Sequence, residues 1–354
     1  MKILVICLAG IGDTLIATPL VRELRSSFPL AEIDAFVMWK GSQDLLATNP
    51  NLDTVYQNNF FKNSWVESLK SLLQLRQNRY DIALLPFPQG RWHYKRVAKL
   101  IAPRLLFGLH CYADFDLLVS KHAADHNVTL LRKLGVTPKE ASPYYEIYCT
   151  SSDIEFSEHN AISATVGIHI GSGTTKNLKC RRWPVAYYRQ LICALNERGK
   201  KVVLIGGPEE EQETKALAGN NANYIPTRNI REAAALMRTF DAFISVDSCL
   251  MHIASAIGIP QVVIQAPTWN PCVAPLNNHY ELVPNSALEG RSPFDFYRFD
   301  GRPIRKEYTN VMDQVSVNAV LKAYTRLTGG DVRVGPMRSA NGSCPVPIPV
   351  SVFN

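Results

Sequence analysis

What the chain lacks narrows it first. No two of its eight cysteines form a CxxC pair, so zinc-ribbon and thioredoxin-type chemistry have no anchor. Several, such as Cys7 and Cys193, lie in apolar runs, where cysteine behaves as a small hydrophobe, and the pattern fits a reduced cytosol. No run approaches the roughly 18 apolar residues needed to span a bilayer. The opening MKILVICLAGIGDT has a short apolar run and no small-residue cleavage site, so it reads as a buried first strand rather than a secretory signal. The fingerprint GxGxxG is missing, which argues against a dinucleotide oxidoreductase. The phosphate loop GxxxxGK followed by Ser or Thr is missing too.

What is present fits an ordinary globular protein. Apolar residues make up 46% and charged residues 19% of 354, and at roughly 150 residues per domain two domains are expected. The net charge of +7 admits a phosphorylated glycan, an anionic membrane surface or a nucleic acid as partner and selects none of them. Short apolar runs alternate with helical patterns. Strands are expected at Ile3–Leu8, Ile33–Met38, Leu52–Tyr56, Ile82–Pro86 and Leu105–Leu109, with helices between them, as at Thr14–Ser27, Trp65–Gln77 and His93–Ile101. The polar stretch 150–164 interrupts this pattern. It then restarts with strands at Val166–Ile170, Val202–Ile205, Ala242–Val246 and Gln261–Gln265, and helices at Pro184–Glu197, Leu250–Ile257 and Val315–Leu327. The reading is α/β, with an N-terminal unit at 1–155, a second at 156–328, and a Gly-, Pro- and Ser-rich tail at 329–354 that reads as poorly ordered.

Four loops at strand ends carry candidate chemistry. After the first strand, Gly10 and Gly12 allow a tight turn and close ligand approach. Asp13 then stands at a helix start, either as an N-cap or as a general base. The second loop, GSGTTKNLKCRRWP, brings Ser172, Thr174, Thr175, Lys176, Lys179, Arg181 and Arg182 before a helix. Hydroxyls, glycine and cations there suit a phosphate. The third, VDSCLMHIASAIGIP, puts Ser248 and His252 one turn apart, with Asp247 as a possible cap. The fourth, QAPTWNPCVAPL, is expected to expose Thr268 and Trp269 beyond the sheet. From Arg91 to Arg104 lie five basic residues and no acidic one, with Trp92 and Tyr94 among them. This is either a solvated helix face or a patch for a phosphorylated sugar acid.

Together these motifs resemble glycosyltransferase family nine, the heptosyltransferases of lipopolysaccharide synthesis. The carriers are GDTLIATPLVRELR, RRWP with VVLIGGPEE, and above all VDSCLMHIASAIGIPQVVIQAPT. The resemblance runs from Met1 to about Leu327. It implies a GT-B fold, two Rossmann-like domains with parallel sheets facing across a cleft. The N-terminal domain would take an anionic glycan or glycolipid acceptor, and the C-terminal domain a nucleotide sugar, ADP-heptose. The reaction would be inverting, with no metal and no cofactor. Asp13 matches the catalytic base, Asp247, Ser248 and His252 the donor-sugar and phosphate contacts, and Thr174 and Thr175 the phosphate-binding hydroxyls. Arg181, with Lys179 as second choice, stands for the family's phosphate-binding Lys. On the acceptor side are Gly12, Arg91, Lys95 and Arg96. Cys249 replaces the Gly that usually follows the Asp-Ser or Asp-Thr pair. The implied location is the cytoplasm, peripheral on the inner face of the membrane, with no nucleic-acid partner.

Other readings are a nucleotide-sugar 2-epimerase, which needs no acceptor patch, and a catalytically silent glycan- or nucleotide-binding protein, suggested by Cys249. The pair Asp114 and Asp116 formally makes a DxD pattern but stands without a partner, and reads as surface.

Overall fold

The computed structural model describes residues 1–87, 92–108, 121–138, 144–163, 165–173, 175–276, 279–291 and 310–329. Arg91, Asp114, Asp116, Thr174 and the tail from 330 onward lie outside them.

Apolar runs of four to six residues, buried on both faces, form the central strands of two all-parallel sheets. The first joins β1 (Lys2–Cys7), β2 (Glu32–Val37), β3 (Thr54–Gln57), β4 (Ile82–Leu85) and β5 (Leu105–Gly108) in the order β3-β2-β1-β4-β5. In its centre Ile3 lies between Ile33 and Ile82. The second joins β6 (Thr165–Ile168), β7 (Lys201–Leu204), β8 (Asn223–Tyr224), β9 (Ala242–Val246), β10 (Gln261–Ile264) and β11 (Tyr280–Val283) in the order β11-β10-β9-β6-β7-β8. The nine expected strands appear within two residues of their expected ends. The pattern missed β8, which has only two residues, and the edge strand β11.

Right-handed crossovers decide where the helices go. α1 (Ile11–Ile16), α2 (Thr18–Ser27) and α3 (Lys40–Leu46) cover one face of the first sheet, and α4 (Trp65–Gln77) and α5 (Trp92–Ile101) the other. α6 (Ala123–Thr129) joins the first group. After α7 (Ser151–Asn160), α8 (Val185–Asn196), α9 (Glu211–Ala218) and α12 (Val317–Leu327) pack on one face of the second sheet, around Trp183 and Tyr188. α10 (Ile230–Met237) and α11 (Cys249–Ile257) pack on its other face. One apolar cluster runs from Leu15, Leu20 and Leu45 through to Leu236, Leu250 and Ile253, so the inner helices of both units share a core.

The polar stretch at 150–164 holds a helix. Thr150 caps α7 and Asp153 returns the bond, Oδ2 accepting from Thr150 N at 2.8 Å. This is the Thr-x-x-acid form of a capping box. The expected boundary at 155/156 falls inside this helix. Arg231 on α10 donates to Asp153 at 3.0 Å and also reaches the Asp44 carbonyl on α3, clipping the connecting chain to both units. Burial would raise the Asp153 carboxyl, but Thr150 and Arg231 hold it below the usual carboxylate range. No helix among the described residues is long and apolar enough to cross a membrane.

Gly167, in the middle of β6, fixes how tightly α10 closes on the second sheet. A Cβ there would stand 2.2 Å from Cδ2 of Phe240, three residues past the helix end. Gly167→Ala is expected to destabilise the protein by roughly 1–3 kcal/mol through overpacking. In a Phe240→Leu background the same change should cost clearly less. Chemical denaturation of the four proteins of this cycle measures the coupling, and an additive result would refute the contact.

Candidate active site

In each sheet the strand order reverses at one place, β1 beside β4 and β6 beside β9. Ligands of open α/β sheets bind outside the carboxyl ends of the strands at such points. Three of the four candidate loops start there, after β1, β6 and β9.

The β1 loop ends in Gly10, the N-cap of α1. Asp13 is therefore not the cap. It is the third helical residue, and its Oδ2 accepts the Gly10 N–H at 2.8 Å. The helix is short because Pro19 opens α2 two residues after Ala17, and Pro is favoured only in a first turn. Asp13 is half-buried. Its charge is felt by Cys7, Tyr145 and Cys272 nearby.

On the second sheet the loops after β6 and β9 knit together. His169 Nδ1 lies 3.1 Å from Ser248 Oγ. Asp247 Oδ2 accepts from Thr268 Oγ1 at 2.5 Å and from Arg181 Nη1 at 3.3 Å, while its carbonyl takes the same Nη1 at 2.8 Å. Thr268 and Arg181 thus share one carboxylate oxygen, Oδ2. The cap of α11 is Ser248, without a side-chain cap bond, which corrects the expectation that Asp247 caps this helix. Thr268 and Trp269 are buried, not exposed as expected: Thr268 holds Asp247, and Trp269 packs against Tyr280. Arg181 Nε is buried without a partner. Lys179 is exposed on the 3₁₀ turn Thr175–Arg181. Arg182 braces the loop from below, donating to Glu213 at 2.8 Å, Glu210 at 3.3 Å and the Ser172 carbonyl at 3.2 Å. A Cβ on Gly171 would stand 2.4 Å from the Glu210 carboxyl, which would have to move off Arg182 to admit one.

The two halves meet at Gly12. A Cβ on it would stand 2.7 Å from His252 Cδ2 and 3.7 Å from Cys249 Cα. Ser248 and His252, one turn apart on the sequence, turn to different partners. Ser248 faces His169, whereas the His252 ring lies edge-on to Tyr145, centroids 6.0 Å apart. His252 Nδ1 is buried and unpartnered, and burial pushes the ring pKa down to about 4. His122 accepts the Ala124 N–H at Nδ1, so its Nε2 carries the proton and donates to the Ala274 carbonyl at 2.9 Å across the units. Lys95 and Arg96 sit in the first turn or so of α5, at the carboxyl end of β4. Among the described residues no three His, Cys, Asp or Glu side chains are grouped to hold a metal. Sequence reasoning missed His169, Tyr145, His122 and the Arg182–Glu210 pair. For His169 a signal existed, since it directly follows a strand of the switch point.

A profile of glycosyltransferase family 9 (heptosyltransferase) matches residues 113–293, just over half of the chain. The chain belongs to this family. It is a glycosyltransferase of two Rossmann-like units in the GT-B arrangement. It is 25% identical over 293 residues to lipopolysaccharide heptosyltransferase 3 of Escherichia coli (strain K12), covering 73% of this chain and 82% of that protein. The glycosyl transferase family 9 structure from Veillonella parvula superposes with a TM-score of 0.74 at 21% identity, covering 93% and 98% of the two chains. E. coli heptosyltransferase WaaC with ADP-2-deoxy-2-fluoro heptose gives 0.67 at 17% identity, covering 92% and 99%.

Burial holds His169 at a pKa of about 3 and His252 at about 4, against 6.5 for an open histidine. Both are lowered, so the unfolded chain binds protons that the folded one refuses. Their stabilisation is complete above pH 6.5 and is lost as pH falls toward 4 and then 3. Each contributes a slope of at most about 1.4 kcal/mol per pH unit. Denaturant midpoints of His169→Gln between pH 7 and 4.5 should fall less steeply than those of the wild type. Parallel curves would remove His169 from the account.

Proposed function

We propose that the protein transfers heptose from ADP-heptose, with inversion and without a metal, to a lipopolysaccharide core or related envelope glycan. The observation that carries this reading is the contact of Gly12 with His252. It brings an acid-bearing helix start of the first unit against the donor-type loops of the second. The relatives support the choice of substrates: one is named for lipopolysaccharide and another was solved with an ADP-heptose analogue.

In this reading Asp13 is the base. An acceptor hydroxyl attacks the anomeric carbon and gives its proton to the Asp13 carboxylate. The Oδ2 bond from Gly10 holds the carboxylate in position. The departing diphosphate gathers charge, which Arg181, Lys179 and the backbone N–H groups at the start of α11 are suited to meet. Arg181 has donors left over, since Asp247 engages only Nη1. Arg181 is therefore preferred to the exposed Lys179, which would serve as an outer contact. Thr175, and Thr174 beside it, would supply hydroxyls. Asp247, anchored by Thr268, positions Arg181 and the sugar, with Ser248 and His252 completing the donor side. The neutral His252 can offer a hydrogen bond without a charge that would compete with Arg181. Lys95 and Arg96, with Arg91, would receive the acceptor's anionic groups near Gly12. The enzyme would work in the cytoplasm, peripheral to the membrane that carries its acceptor. A family of transferases favours this over the epimerase and the silent binding protein.

Asp13→Asn tests the base. Asn keeps an oxygen for the Gly10 N–H, so the melting temperature should hold, while turnover should fall by roughly 10²–10⁴. Near wild-type turnover at unchanged stability would leave Asp13 with a structural role only. A second measurement concerns the metal. Turnover should persist in excess EDTA, and loss restored by magnesium or manganese would overturn the metal-independent mechanism.

A further inference from the structure

The outer face of the first sheet carries an apolar surface that the shared core does not use. α4 turns Leu72 and Leu75 inward. Trp65, Val66, Leu69 and Leu73 remain 77%, 40%, 44% and 49% exposed. Spacings of four put Trp65, Leu69 and Leu73 on one stripe, with Val66 beside it. Phe61, 74% exposed, extends the stripe past the helix start and stacks on Trp39 at 6.1 Å. Contiguous exposed apolar surface of this kind marks an interaction site.

The surrounding charge is predominantly positive. Residues 60–80 and 92–108, the α4 and α5 segments, hold eight Lys or Arg and one acid, Glu67. Their net charge of +7 equals that of the whole chain. α5 packs beside α4, with Arg76 reaching the Leu100 carbonyl at 3.4 Å. α4 starts after β3 and α5 after β4, so the aromatic end of the stripe lies at the sheet edge where Asp13 follows β1.

We propose that this face docks on an anionic phospholipid bilayer. The α4 stripe enters the headgroup boundary, where Trp, Phe and Leu are favoured, and the exposed Lys62, Lys70, Arg76, Arg79, Lys99 and Arg104 meet headgroup phosphates. A second copy of the chain is the poorer occupant, because a two-fold contact would bring two faces of net +7 together. The proposal deepens the transfer reading, since a glycolipid acceptor would emerge beside the Asp13 edge. Lipid binding itself needs neither donor nor acceptor.

The test is sedimentation of the full chain with vesicles of phosphatidylglycerol in phosphatidylcholine, against pure phosphatidylcholine. Binding is expected on the anionic vesicles and should weaken in 1 M salt, each cation at the surface contributing roughly fivefold. Leu69→Gln/Leu73→Gln alters only outward side chains, so its melting temperature and its turnover on a deacylated, lipid-free acceptor should match wild type. Its vesicle partition should drop at least about tenfold. Wild type that ignores anionic vesicles, or a variant that binds them equally well, overturns the proposal. So does a wild-type dimer in sedimentation velocity that the double variant abolishes, which would make the face a homodimer interface. Vesicle binding without turnover on any acceptor would leave the docking standing and defeat the transfer reading.

Discussion

The approach of α1 to α11 at Gly12 sets the geometry of everything else in the site. With 2.7 Å between a would-be Cβ and the His252 ring, any side chain at 12 would displace that ring or part the two units. Asp13 is the next residue on α1, and Ser248 and Cys249 open α11. The separation between the acid and the donor-side loops is therefore set by the absence of one Cβ. The Arg231 clip to Asp153 and Asp44, and the His122 bond to Ala274, hold the same closure from two other sides.

Each unit prepares its half by the same means. A buried parallel strand ends, the order of the sheet reverses, and a loop is left with backbone groups that the sheet does not use. In the first unit a carboxylate occupies that place and is held by a backbone N–H. In the second an Asp is occupied by Thr268 and Arg181, and two histidines are kept neutral by burial. One side thus presents a proton acceptor and the other hydrogen-bond donors. That division would suit the proposed transfer between a hydroxyl and a diphosphate leaving group.

Much of this was legible in the residues, and what was not has physical causes. Strands such as Ile3–Leu8 and Ala242–Val246 were readable because a doubly covered strand must be apolar throughout. The loops were readable because glycines and cations between a strand and a helix have few other uses. Caps were misread. A carboxylate at a helix start bonds an N–H whether it sits at the cap or at the third residue, so Asp13 looked like a cap. Asp247 looked like one because its partners, Thr268 and Arg181, lie 21 and 66 residues away. Thr268 and Trp269 seemed exposed because Pro-flanked loops usually are, yet the carboxylate and Tyr280 draw them in. The helix α7 was hidden by polarity, although its Thr150–Asp153 capping box is written in the sequence. Cross-unit contacts such as Tyr145 with His252 have no local signal at all.

The buried donor side also explains why the site's polar groups are incompletely satisfied. Arg181 Nε, Arg182 Nε and His252 Nδ1 are buried in the second unit without protein partners. An unmet buried polar atom costs about 1–3 kcal/mol, and a sheet packed as well as this one around Trp183 and Tyr188 would gain by eliminating them. Arg182 has an evident structural reason to stay, since its two terminal nitrogens already bind Glu213, Glu210 and the Ser172 carbonyl. Arg181 does not. Its one anchor is Asp247, and a shorter neutral residue could satisfy Asp247 as Thr268 already does. A guanidinium on the loop after β6 with donors to spare suits the proposed role of meeting the diphosphate. In that proposal Asp247 keeps the guanidinium extended and aimed, the carboxylate positioning the cation.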